Sequence, residues 1–314
     1  MADYCLSRCY LYDGETVLTG DASAENRTWL AGRYPGLPVR IASVSAVESA
    51  ILAIHGEAVR CEAVEGLMRR LPELSAHRVV TPAQGCFLGG LACALLACLA
   101  LWPVLALPWL VLLLTASFIA SGLFRAVLAF IGAGHAPVTP PLPRHGLPVY
   151  TILVPLYHEA AVLPDLVAAL SALDYPRHLL DIKLVLEEDD AETLAAAERC
   201  AGDFQIVRVP RCQPRTKPKA ANYALQFARG AYLVIYDAED RPEPDQLLKA
   251  VAAFRAGSRR LACVQARLNF YNANHNWLTR MFALDYALWF DMLLPGLDRL
   301  GVPMPLGGTS NHFR

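Results

Sequence analysis

Residues 231–240 read AYLVIYDAED, six apolar or aromatic residues in an unbroken run that ends in three acids, Asp237, Glu239 and Asp240. So short a run, rich in β-branched and aromatic side chains and preceded by Gly230, predicts a buried strand rather than a helix. Similar runs lie upstream. VYTILVPLY (149–157) leads into His158 and Glu159, DIKLVL (181–186) into Glu187, Glu188, Asp189 and Asp190, and FQIVRVP (204–210) follows. Between and after them, AVLPDLVAALSAL (161–173), KAANYALQFARG (219–230) and PDQLLKAVAAFRAG (244–257) show helical spacing, and LACVQARLNF (261–270) reads as a further strand. Such alternation implies an α/β fold of parallel strands with helical crossovers, the doubly wound plan of nucleotide-binding domains. Ligands in that plan collect at the carboxyl ends of the strands. Acids that follow three separate strands therefore belong to one crevice.

Composition divides the rest of the chain. Of 314 residues, 55% are hydrophobic and 18% charged, yet the skew is local: no charged residue falls between Arg78 and Arg125. Pro103 and Pro108 split this stretch, 85–131, into the apolar runs 86–102 and 109–131, a candidate transmembrane hairpin. Arg69, Arg70 and Arg78 before it, and Arg125 and Arg144 at or beyond its end, put both flanks in the cytoplasm by the positive-inside rule. The expectation is a multi-pass protein of the inner membrane in contact with membrane lipids; a buried hairpin in a soluble core is the alternative. Residues 1–80 read as a small α/β module, with strands in TVLTG and LPVRIAS and a helix after Ser43 or Ser45. Residues 132–148 form a proline-rich linker and 149–314 the main domain. The opening MADYCLSRCYLYDGE has no basic stretch before an apolar core, so no signal peptide is expected. Nine cysteines without a C-x-x-C pair argue against a zinc site or disulfide framework. The net charge of −1 argues against a nucleic-acid partner.

Several motifs carry chemistry. Asp237, Glu239 and Asp240 are hard oxygen ligands suited to Mg²⁺ or Mn²⁺ bridging to a diphosphate; a solvated acidic turn is the alternative. The acids after DIKLVL either accept hydrogen bonds from a base or ribose or cap the helix that begins at AETLAAAERC. Glu159 either holds a nucleotide or orders its loop. Lys217-Pro218-Lys219, opening a helix in a chain with four lysines in all, suits a diphosphate grip or a basic surface loop. The aromatic stretch NANHNWLTRMFALDYALWFDMLLPGL (272–297) is either an interfacial helix or a core helix. Gly307-Gly308-Thr309-Ser310-Asn311-His312 reads either as a glycine-rich polar loop able to approach a substrate closely or as an ordinary surface turn.

In this order and spacing, VPLYHEA, the acidic end of DIKLVLEEDD, KPKAAN, YDAED and GGTSNHFR resemble family-2 glycosyltransferases, above all the bacterial branch similar to cellulose synthases. The resemblance covers roughly residues 148–314. It implies a GT-A fold and inverting transfer of a UDP-linked sugar from a nucleoside diphosphate sugar to a growing glycan or a lipid-linked acceptor. By it, Asp237 and Glu239 match the metal-binding D-x-D, with Asp240 as a possible substitute for the second acid. Glu188 or Asp189 matches the base-contacting acid, and Lys219 and Asn222 the diphosphate-side motif. Thr309 and Ser310 fall in the acceptor and leaving-group loop. The family's T-E-D base and Q-x-x-R-W motif do not occur before Arg314, so the catalytic base is expected beyond it and the chain reads as a fragment. Residues 1–80 weakly resemble the N-terminal module of type II secretion ATPases. The expected role is synthesis of an envelope polysaccharide, with export components as partners. A non-processive transferase to a lipid-phosphate acceptor and a non-catalytic membrane scaffold are the alternatives.

Overall fold

The computed structural model describes residues 3–134, 141–200 and 202–314; positions 135–140 of the proline-rich linker lie outside the described residues. The chain divides into two compact units. One comprises Met1–Arg70, Thr139–Ala266 and Gly307–Arg314, the other Leu71–Val138 and Arg267–Leu306.

The first unit opens with a small sheet in the order β1 (Asp3–Cys5), β2 (Tyr10–Tyr12), β3 (Val17–Thr19), β4 (Val39–Ile41). Its one parallel pair, β3–β4, is bridged by helix α1 (Ala24–Arg33). Helix α2 (Val44–Arg70) follows, and helices α3 (Pro82–Leu101) and α4 (Pro103–Gly132) belong to the second unit. The main sheet is built from β5 (Tyr150–Leu156), β6 (Leu180–Glu187), β7 (Gln205–Val209), β8 (Tyr232–Ile235), β9 (Cys263–Gln265) and β10 (Asn311–Phe313), in the order β7-β6-β5-β8-β10-β9. Helices α5 (Leu163–Ser171), α6 (Ala191–Arg199), α7 (Lys217–Leu225) and α8 (Gln246–Ala256) connect its strands.

Strands β7, β6, β5 and β8 are parallel, and β10 runs antiparallel between β8 and β9. The result is a mostly parallel, GT-A-like α/β sheet: the alternation led to the parallel strands, and the family resemblance to the GT-A form. Alternate residues of β5 serve different cores, as the two-residue period of a strand requires. Ile152, Val154 and Leu156 pack with Leu166 of α5 and Val251 of α8. Leu153 packs with Val185, Val207 and Tyr223, and with Val47, Ile51 and Val59 of α2. Helix α2 thus completes the second face of the main sheet. Strand β10, like β1, β2 and α1, is an element that sequence pattern missed, and it carries a buried His312 whose Nδ1 lies 2.7 Å from the Tyr150 hydroxyl.

In the second unit, α3 and α4 are each long and apolar enough to cross a bilayer, and their apolar windows are unburied. Helix α4 starts at Pro103, earlier than the expected Trp109. Proline is tolerated at a helix start, where its missing N–H would be unpaired in any case. Pro108 is therefore inside the helix. Helices α9 (Trp277–Leu288) and α10 (Leu294–Leu300) are joined by a π-helical turn at Trp289–Leu293. No residue of α9 is buried, and Trp277, Met281, Leu284 and Leu288 form an exposed apolar stripe at helical spacing. Glycines bring α10 against α4: a Cβ at Gly296 would fall on the Leu128 carbonyl, and one at Gly132 on that of Met292.

Candidate functional site

The crevice lies at the carboxyl ends of β5, β6 and β8. Asp237 follows β8 directly, and its backbone N–H donates to Asp240 Oδ2 at 2.8 Å and to Thr309 Oγ1 at 3.1 Å. The Thr309 hydroxyl donates to Asp240. Ser310 N–H donates to the Ile235 carbonyl at 2.8 Å. Pairing of β10 with β8 thereby delivers the Gly-Gly-Thr-Ser loop to the acidic turn. Asp240 is committed to holding this turn, and burial pushes its carboxyl above the usual range, with the Glu239 charge adding to the rise. Asp237 faces Lys217, and Glu239 is exposed, its charge acting on Lys217 and Glu159.

Lys217, the first residue of α7, places its ammonium on Asp237 Oδ1. Burial lowers the Lys217 pKa, while Asp240, Glu239 and Glu159 pull against that fall. Glu159, in the turn after β5, is pushed up by burial and by the charges of Glu239 and Asp190, although Tyr157 N–H donates to it at 3.3 Å. Four acids, Asp237, Glu239, Asp240 and Glu159, and one lysine therefore share an electrostatic neighbourhood that excludes part of the solvent.

Beside it is a cavity of about 220 Å³ lined by Pro155, Leu156, Tyr157, Glu159, Glu187, Arg215, Thr216, Lys217 and Ala220. Its wall is mainly apolar, with a few charged groups, the usual make-up of a small-molecule pocket. Arg215 is held at 2.8 Å by Asp189.

The predicted residues are distributed as follows. Glu159, Asp237, Glu239, Asp240 and Thr309 gather at the crevice, and Ser310 supports it through its backbone. Glu188 and Asp189 are exposed; Glu188 accepts from Arg211 N–H at 3.4 Å, and Asp189 bonds Arg215. Asp190, fully buried, caps α6 through Thr193 N–H and accepts from His158 N–H at 2.6 Å. Burial would raise its pKa, but these bonds hold it below the usual carboxylate range. Lys219 is not at the acidic turn: its ammonium is buried against both oxygens of Glu187, at 2.7 and 2.9 Å. Asn222 donates its amide to the Ala63 carbonyl of α2 at 3.2 Å. The lysine that faces Asp237 is Lys217, and Glu187, Arg215 and Tyr157 are the further cavity residues. Their signal in sequence was proximity to the strand ends.

Among the described residues no three His, Cys, Asp or Glu side chains converge as a metal cage. The acidic turn nevertheless fits a divalent cation. It already holds a positive group, the Lys217 ammonium, and Mg²⁺ is commonly bound by one or two carboxylates with substrate phosphates supplying the rest. Asp237 and Glu239 are the residues that would hold it.

A region of 171 residues is 26% identical to the beta-monoglucosyldiacylglycerol synthase of Trichormus variabilis (strain ATCC 29413 / PCC 7937), covering 51% of this chain and 36% of that protein. A region of 154 residues is 30% identical to the probable glucomannan 4-beta-mannosyltransferase 6 of Oryza sativa subsp. japonica, covering 46% and 27%. The matches thus span about a third of the length of these relatives, or less. Among solved structures, the mannosyltransferase PcManGT from Pyrobaculum calidifontis, in complex with GDP-Man and Mn²⁺, aligns with a TM-score of 0.44 at 24% identity, over 64% of this chain and 60% of that one. The family model described as glycosyl transferase family 2 matches residues 151–309, which takes in every strand end of the crevice and the Thr309 loop, and the chain belongs to that family.

Proposed function

We propose that residues 149–314 bind the donor in an inverting, metal-dependent glycosyltransferase that uses a nucleoside diphosphate sugar, UDP-linked, at the cytoplasmic face of the membrane. The observation that carries this reading is the Asp237 turn. It ends a central parallel strand, is tied to Thr309 by a backbone N–H, faces Lys217, and opens beside a cavity able to take a base. In this reading the cavity holds the nucleoside, with Glu187, Glu188 or Asp189 and Arg215 at its polar positions. Lys217 lies next to the diphosphate. Asp237 and Glu239 would hold a divalent cation, which would supply charge stabilisation for the departing nucleoside diphosphate. Asp240 and Thr309 keep the turn in shape.

The acceptor is a growing polysaccharide, a reading supported by the mannosyltransferase name of the rice relative. The name of the Trichormus relative, a diacylglycerol glycosyltransferase, favours a lipid acceptor as the second reading. The unburied α3 and α4 and the exposed stripe of α9 support attachment to the inner membrane.

The test is calorimetric titration of the detergent-solubilised chain with UDP, with and without Mn²⁺. Binding should require the metal and vanish in Asp237→Ala. Metal-independent binding, or binding that survives the substitution, would refute the site.

A further inference from the structure

We propose that Asn222 and Gln226 are positioning residues, which lock α7 onto α2 and thereby hold Lys217 at Asp237. The proposal rests on the donor-site reading of the Asp237 crevice. It makes the N-terminal helix α2 part of that site's construction.

The two amides are one turn apart, Asn222 within α7 and Gln226 at its C-cap, on the same side of the helix. Asn222 Nδ2 donates to the carbonyl of Ala63 at 3.2 Å, and Gln226 Nε2 to that of Val59 at 2.9 Å. The acceptors are also one turn apart, on α2, and in the opposite order. The helices therefore run antiparallel in one register, and a slip by one turn would be about 5.4 Å. A slip of that size would carry Lys217 off Asp237.

Apolar packing alone does not select this register. Against α2 and the sheet, α7 presents Ala220, Tyr223 and Ala224, and two of these are small and allow sliding. The polar bonds supply what the alanines lack. Helix α2 is in turn a fixed rail. Its Glu48 accepts from Gln205 Nε2 at 2.5 Å, Gln205 Oε1 accepts from Lys183 Nζ at 2.8 Å, and Lys183 reaches Asp181 at 3.0 Å. This chain of buried groups ties α2 to β6 and β7.

Residues Val59 and Ala63 lie inside α2, where each carbonyl also accepts from its own helix, so each amide uses a second lone pair. Removing the amides leaves no buried carbonyl unpaired, and the substitution reads register rather than desolvation.

The experiment uses the full chain in detergent with UDP and Mn²⁺, comparing Asn222→Ala/Gln226→Ala in the wild-type and Lys217→Ala backgrounds. In the wild-type background UDP affinity should fall about tenfold, and in the Lys217→Ala background the pair should change it by less than about twofold. Equal losses in both backgrounds, or no loss in the first, would overturn the proposal. Hydrogen exchange without nucleotide gives a second reading. The first turn of α7 should exchange faster in the double variant while α5 and α8 are unchanged, and unchanged exchange in α7 also overturns it. Failure of the wild-type chain to bind UDP refutes the donor-site reading instead, and the exchange result still decides whether the amides set the register.

Discussion

Lys219→Met tests the electrostatics of the cavity wall. Lys219 is 3% exposed and Glu187 8%, and the ammonium donates to both carboxylate oxygens. Methionine keeps most of the stem's volume and removes the charge. Glu187 is then left ionised in a wall that is mainly apolar. Breaking a buried pair by removing one partner costs about 3–5 kcal/mol, a large share of a domain stability of about 5–15 kcal/mol. The side chain of Glu187 is 10% exposed at the cavity, so the lower end, about 3 kcal/mol, is expected. Replacing both partners, as Glu187→Leu/Lys219→Met, should recover most of the loss, because no charge is stranded. Urea denaturation of the detergent-solubilised chain, followed by near-ultraviolet circular dichroism, measures all three variants. A Lys219→Met chain within about 0.5 kcal/mol of wild type, or a double variant no more stable than the single one, would refute the reasoning.

His312 gives an acid sensitivity of its own. Burial lowers its pKa to about 4, against the usual 6.5 of a free imidazole, so stability is full above 6.5 and is lost as pH falls towards 4, by about 2 kcal/mol between pH 7 and pH 5; denaturation at the two pH values reads it, and a flat profile would contradict it. Gly296→Val should push α10 from α4, since the new side chain meets the Leu128 carbonyl. The cost is about 2 kcal/mol of overpacking, seen as faster hydrogen exchange in α10, and wild-type protection there would show that the helices do not need the close approach.

Much of the crevice was legible because it is assembled from local signals. Buried parallel strands announce themselves as continuous apolar runs, and acids directly after them must lie at one edge of the sheet. That reasoning placed Glu159, the acids after β6 and Asp237 without reference to any contact. It failed where an element owes its form to a distant partner. Asn311–Phe313 is a strand only because β8 and β9 flank it, and three residues after a Gly-Gly pair carry no period to detect. His312 was accordingly read with a loop, although it is 1% exposed in the core. Likewise α2 was read as part of a small separate module, because nothing in its amphipathic spacing says that the apolar face meets Val185 and Val207 of a sheet more than a hundred positions downstream.

The two lysines show this limit most sharply. Lys217 and Lys219 are two positions apart in one helix, hence about 200° apart around it, and they cannot both face the same acid. Composition singled out the pair but held no phase. Phase comes from what covers the remaining faces of α7, and those neighbours are the sheet below and α2 beside it. With Asn222 and Gln226 turned to α2, Lys219 is carried inward to the last residue of β6, and Lys217 is left at the rim opposite Asp237. Each lysine then meets a different acid for a different reason. The inner one neutralises Glu187 in a wall where an unpaired charge would be costly, whereas the rim one keeps an ammonium, its pKa lowered by burial, beside carboxylates suited to a divalent cation. Asp237 would hold a divalent cation with the same carboxylate that Lys217 now contacts, so in the donor-site reading Asp237→Ala should remove both the cation's hold and the lysine's anchor at once.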